Sequence, residues 1–155
     1  MTLTEAIKIL ESNNYAVNGN IHECTYEEFL TAVTNMFKEL FPNSERIESN
    51  ISPYISYWKQ RLHAYTIDGK QCFLLYSPKE YEDTRDYNYL VMTYVNPEAR
   101  GTGIAVQLMK KCIQDSPNGL MFNTMSRNTA MIRLAQKTGF TIEKDGYWTT
   151  GYYNP

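Results

Sequence analysis

The segment Val95-Asn96-Pro97-Glu98-Ala99-Arg100-Gly101-Thr102-Gly103-Ile104-Ala105 constrains this chain more than any other. An apolar, β-rich run (89–95) precedes it and an amphipathic run (104–113) follows it. That order predicts a strand, a glycine-rich turn and a helix. Such a turn leaves backbone N–H groups without intrahelical partners at the positive end of a helix dipole. It is a cradle for a phosphate or pyrophosphate. Glycines let the backbone approach the anion closely, and Arg100 brings a fixed positive charge. Two other anion-binding turns are excluded. No Gly-Lys-Ser/Thr is present, so this is not a P-loop, and the third glycine of a dinucleotide fingerprint is missing.

The turn reads Arg-x-x-Gly-x-Ala at Arg100, Gly103 and Ala105. Downstream stands Asn128-x-x-Met131-x-x-Leu134-Ala135-x-x-x-Gly139-Phe140. In order and spacing the two motifs resemble those of the GNAT N-acetyltransferase family. The resemblance implies an α+β fold of the acyl-CoA N-acyltransferase type. Its mixed central sheet has two parallel strands that splay apart, with helices on both faces. It implies acetyl-CoA as acyl donor, with the pantetheine arm in the splay between strands 89–95 and 120–124. Backbone groups of Thr93, Tyr94 and Val95 then grip the arm, and an N–H there holds the thioester carbonyl oxygen. Arg100, Gly101, Thr102, Gly103, Ile104 and Ala105 cradle the pyrophosphate. Asn128 contacts the arm; Asn is also a favoured helix N-cap, and the two roles are compatible.

Two departures from the family pattern bear on catalysis. Many members place a tyrosine general acid seven residues after the motif Asn, where this chain has Ala135. Some place a glutamate five residues before it, where this chain has Asn123, which cannot act as a base at neutral pH. A thiolate with a pKa of roughly 8.5 departs without full protonation, so a missing acid does not abolish the reaction. Positioning of the reactants also supplies rate. Replacement candidates are Tyr89 and Tyr94, which strand alternation puts on opposite faces so that one meets the cleft. Ser126, after the second splayed strand, is another. His63 has the intrinsic pKa of a base. Glu80, Glu82, Asp83 and Asp86 crowd the loop before Tyr89 and suit a cationic acceptor. Tyr54, Tyr57 and Trp58 lie on one segment that walls the family's acceptor pocket, and Tyr147, Trp148, Tyr152 and Tyr153 on the other. Such aromatics can cage an apolar or cationic group.

At 155 residues the chain is expected to form a single N-acetyltransferase domain over 1–155 with a substantial core. No run is long enough to cross a bilayer, and residues 1–10 lack the pattern of a secretory signal. Cys24, Cys72 and Cys112 are odd in number and far apart, which argues against a disulfide framework or metal site and for the cytoplasm. With only His22 and His63, no metal is expected. Residues 1–90 carry 13 acids and 8 bases, whereas 91–155 carry 4 acids and 7 bases. The basic part matches the anionic donor, and the acidic part an amine acceptor. The expected activity is direct transfer of acetyl to a primary amine of a small molecule or protein. One rival is a non-catalytic acyl-CoA-binding or interaction module. The other is a toxin-like enzyme that acetylates aminoacyl-tRNA, disfavoured because no dense basic patch is present.

The remaining pattern predicts a helix over 3–10 capped by Thr2 or Thr4, and a short opening strand or hairpin near 15–21. A capping box at Thr25 and Glu28 starts a helix with the stripe Phe29, Val33, Met36, Phe37 and Leu40, stopped by Pro42. A second helix is expected over 53–63. A hairpin turns at Asp68-Gly69. Helices are expected over 101–114 and 128–138, the latter closed by Gly139, and a last hairpin turns at Asp145-Gly146.

Overall fold

The capping box forms as expected: Thr25 accepts from the Glu28 N–H at 3.1 Å and its own N–H donates to the Glu28 carboxylate at 2.9 Å. It opens α1 (Tyr26–Leu40). The structure, a computed structural model, describes residues 2–5, 21–77 and 87–155. Thr2 makes the reciprocal cap with Glu5. Most of the expected opening strand near 15–21 and the acids Glu80, Glu82, Asp83 and Asp86 lie outside the described residues.

Around α1 the order is β1 (His22–Glu23), α2 (Ile47–Lys59), β2 (Arg61–Thr66), β3 (Cys72–Tyr76) and β4 (Asn88–Tyr94). A 3-10 turn (Pro97–Ala99) leads to α3 (Ile104–Gln114), β5 (Leu120–Met125), α4 (Thr129–Lys137), β6 (Thr141–Asp145) and β7 (Trp148–Tyr153). The strands form one seven-stranded sheet in the order β1-β2-β3-β4-β5-β7-β6. Among the described residues only β4 and β5 pair in parallel. One core, with Phe29, Val33, Trp58, Leu74 and Met92, lies between the sheet and α1 and α2. The other, with Leu108, Met109, Leu120, Phe122 and Ala135, lies under α3 and α4.

Three expectations are corrected. The second helix runs over Ile47–Lys59, not 53–63, with Pro53 inside it. Proline deletes one helical hydrogen bond, while burial of Ile51 and Trp58 holds the turns on either side. Trp58 stacks on Phe29 with centroids 4.7 Å apart. Arg61 and His63 are strand residues because they pair with Tyr76 and Leu75 of β3; sheet pairing overrides their helical spacing. The first hairpin closes through a loop, 67–71, and not a two-residue turn. Gln71 Oε1 accepts the N–H groups of Ile67 and Asp68, and Thr66 Oγ1 accepts that of Gly69. Leu40, expected in the stripe, is 56% exposed.

Candidate active site

β4 and β5 pair only at Asn88↔Leu120 and Tyr89↔Met121. Beyond that, β4 follows β3 to Tyr94↔Cys72, and β5 follows β7 to Met125↔Trp148. Each strand keeps its outer partner, so the inner edges part and present backbone groups to the gap. Asn128 fixes the β5 lip. Its Oδ1 accepts the Met131 N–H at 3.3 Å as the cap of α4, and its Nδ2 donates to Thr124 Oγ1 at 2.9 Å. Thr93 Oγ1, on the β4 lip, lies 3.5 Å from Met131 Sδ.

A β-bulge interrupts β4. Leu74 pairs with Met92 but Leu75 pairs with Leu90, which leaves Val91 extra. The alternation of faces therefore inverts. Leu90 joins the core under α3 and α4, whereas Met92 and Tyr94 join the core under α1 and α2. Tyr89 pairs with Tyr76 and Tyr94 with Cys72, positions of equal parity on β3. The two tyrosines share the α1–α2 face, contrary to the alternation read from sequence. Tyr94 is buried, and its hydroxyl donates to Glu39 at 3.2 Å. Burial, then the Glu39 charge, raises its pKa. Tyr89 is half-buried at the vertex of the splay.

After β4 the chain forms the glycine-rich loop. The N–H groups of Ala99, Arg100 and Thr102 bond back into the loop, and the first bond of α3 runs from Gln107 to the Gly103 carbonyl at 3.2 Å. The N–H groups of Gly101, Gly103, Ile104, Ala105 and Val106 have no acceptor among the described residues. Gly101 and Gly103 stand at φ 80° and 88°, where other residues are strained. A Cβ at Gly101 meets nothing within 4 Å, so the space beside this part of the loop is open. The fully buried Gln71 pins the loop's start, donating from Nε2 to Asn96 Oδ1 at 2.7 Å. Asn96 in turn donates to Glu98 at 3.0 Å. Arg100 pins its end: Nη2 donates to Glu39 at 2.6 Å and Nε to the Val95 carbonyl at 3.1 Å. Two of the five guanidinium N–H donors are thus taken by protein groups, and the Glu39 carboxylate offsets the charge of the half-exposed side chain. A cavity of about 680 Å³ lies beside the loop, lined by α1, the 67–71 loop and Tyr94; no residue of β5 or α4 lines it.

The acetyltransferase (GNAT) family model matches residues 30–140. The chain belongs to that family. Solved structures share the fold. PH1933 from Pyrococcus horikoshii OT3 has a TM-score of 0.71 at 14% identity, covering 87% of this chain and 97% of that one. A GNAT family acetyltransferase from Elizabethkingia anophelis, solved with acetyl-CoA bound, has 0.62 at 16%, covering 89% and 100%. Arabidopsis thaliana NAA60, solved with acetyl-CoA, has 0.57 at 14%, covering 87% and 98%. No curated protein sequence matches the chain.

The other site residues expected of a GNAT protein are dispersed. Ala135, at the tyrosine position, is 0% exposed in the core under α3 and α4. Asn123, at the glutamate position, accepts from the Thr150 hydroxyl at 2.7 Å. Ser126 Oγ lies 2.7 Å from the buried Thr149 hydroxyl. His63 pairs with Glu23 near the β1 edge of the sheet, two strands away from the gap. Trp58 is core, whereas Tyr54 and Tyr57 continue an aromatic row from Phe37 to Tyr76. Burial raises the Tyr54 pKa, with Tyr57 adding to it. That row reaches β4 beside Tyr89. Tyr147 and Trp148 are exposed at the far end of β5, while Tyr152 meets Tyr87 and Tyr153 meets Phe140. Among the described residues no His/Cys/Asp/Glu group could hold a metal, and no helix is long and apolar enough to cross a membrane. Sequence reasoning missed Gln71 and Glu39, because no local pattern marks a residue whose partner lies 25 or 61 positions away.

Proposed function

We propose that the chain is an acetyl-CoA-dependent N-acetyltransferase that moves acetyl directly to a primary amine of a small molecule or protein. It works as one domain in the cytoplasm. The observation that carries this reading is the β4–β5 gap opening beside a loop with unpaired N–H groups. Gly101, Gly103, Ile104, Ala105 and Val106 point those groups at the pyrophosphate, as a helix N-terminus does. Thr102 and Arg100 hold the loop's shape. Backbone groups of Thr93, Tyr94 and Val95 line the arm, and the bulge at Val91 frees an N–H for the carbonyl oxygen. Asn128 orients the opposite lip.

Bound acetyl-CoA supplies an acetyl group activated as a thioester, and a C–N bond to the amine replaces the C–S bond. The amine enters from the α1–α2 face, between the aromatic row and Trp148. Tyr89, half-buried at the vertex of the splay, is the residue assigned to relay a proton. Acid residues on the first part of the chain favour a cationic amine. A thiol-release assay over a panel of amines tests this: release should require an amine, and kcat/KM should fall as salt rises. Acetyl-CoA binding without release by any amine supports the second reading, a non-catalytic acyl-CoA-binding module. The burial of Ala135 and the engagement of Asn123 by Thr150 are what favour that alternative.

A further inference from the structure

We propose that Glu39 is a positioning residue for the acetyl-CoA site, and that the motif Arg100 serves as its strap partner without touching phosphate. The inference rests on the reading that the loop cradles acetyl-CoA. Glu39 lies in the last turn of α1, 61 positions before Arg100. Its Oε2 accepts from Arg100 Nη2 at 2.6 Å and its Oε1 from Tyr94 at 3.2 Å. Arg100 Nε then returns to the Val95 carbonyl at 3.1 Å. These bonds join α1, the end of β4 and the loop in one ring. Both oxygens of the carboxylate are used, so its orientation is fixed, and bonds from a guanidinium to a carboxylate are among the stronger hydrogen bonds.

The loop needs such fixation. Gly101 and Gly103 flank Thr102 immediately after Arg100, and glycine-rich backbone loses the most freedom on ordering. Gln71 secures only the start of the loop, through Asn96. The strap secures the end from which the unpaired N–H groups project. While Glu39 holds Arg100 the pair is neutral as a unit, and a phosphate gains the full charge of the arginine only if the two separate. That would strand a carboxylate beside an incoming anion, and like charges at close range repel. Holding the pair intact avoids this and leaves the anion to the backbone. The pair is half-exposed, so its contribution falls on loop geometry more than on global stability.

The test is calorimetric titration with acetyl-CoA of the wild type, Glu39→Arg, Arg100→Glu and the double exchange. Each single variant should bind about tenfold more weakly, and the exchange should recover to within about threefold of wild type. A double exchange as weak as Arg100→Glu alone overturns the proposal, because an arginine that touches phosphate is not replaced from position 39. Arg100→Met decides the matter if the exchange does not fold. Its affinity should drop while the slope of log Kd against log salt stays that of wild type; a shallower slope means a lost phosphate contact and overturns the strap. A wild type that binds no acetyl-CoA overturns the cradle reading as well, which separates the two failures.

Discussion

The two lips of the splay are built by different means. The β4 lip and its loop are held by side chains from distant segments, Gln71 on Asn96 and Glu39 on Arg100. The β5 lip is held locally, by continuous pairing to β7 and by Asn128 at the start of α4. On the α1–α2 face the first lip is covered by helices. The second bears Asn123, Trp148, Glu143 and Asp145, all exposed and in register across β5, β7 and β6. On the proposed reading, donor handling thus rests on backbone kept in place by few side chains. Acceptor handling, on the proposed reading, rests on exposed side chains that can change without disturbing the fold.

The largest effect expected is on stability. Ala135 has no exposed surface, and a tyrosine there overpacks the core under α3 and α4. Ala135→Tyr should lose about 3 kcal/mol, read by thermal or urea denaturation. A variant that melts within about 2 °C of wild type means that position 135 opens to a channel after all. Gln71→Ala comes next. It removes the acceptor of the Ile67 and Asp68 N–H groups and the donor to Asn96, all buried or partly so. We expect a loss of about 2 kcal/mol together with weaker acetyl-CoA binding. Stability lost with affinity intact would show that the hairpin loop and the cradle are independent.

How legible this was follows the same division. The strand–turn–helix at 95–105 and the Asn128 motif are local patterns, and the fold and the family follow from them. The register of β4 is not local. The extra residue at Val91 exists because Leu74 and Leu75 choose Met92 and Leu90, a choice made by packing on both faces. Counting alternation from Tyr89 to Tyr94 therefore gives the wrong face for one of them. Arg100 was readable as a charge but not as a paired charge, since its partner closes only when α1 packs on the sheet. Pro53 misled in the other direction, as a start signal outweighed by the burial of Ile51.

Two smaller effects separate the lips directly. Gly103→Glu places a carboxylate in the cradle, and acetyl-CoA should bind at least about tenfold more weakly, about 1.4 kcal/mol. Gly103→Ala, which shares the strain at φ 88° without the charge, is the control. Equal losses in both would assign the effect to strain. On the other lip, Trp148→Ala should raise the KM for the amine a few-fold, about 0.5–1 kcal/mol, as expected for a lost cation–π contact. It should leave acetyl-CoA affinity alone. A change confined to acetyl-CoA would mean that the exposed lip handles the donor.

The smallest effect is the most informative about the bulge. Tyr94 shares a face with Tyr89, but its hydroxyl is spent on Glu39, which keeps its bond to Arg100 when the hydroxyl is gone. Tyr94→Phe should therefore cost at most about 1 kcal/mol of stability, the worth of one hydrogen bond. Acetyl-CoA affinity should stay within about threefold, and turnover at saturating substrate should not change. The sign of the pH dependence follows from the raised pKa of Tyr94. A phenol held neutral in the folded state contributes its stability in full below the unfolded pKa of about 10 and loses it as pH rises through the folded value. The difference between wild type and variant should thus be flat through neutral pH and should narrow only in strong alkali. Tyr89→Phe supplies the contrast, with turnover falling and affinity kept. If Tyr94→Phe is instead the variant that slows turnover tenfold, its hydroxyl leaves Glu39 during the reaction, and the vertex tyrosine is the structural one of the pair.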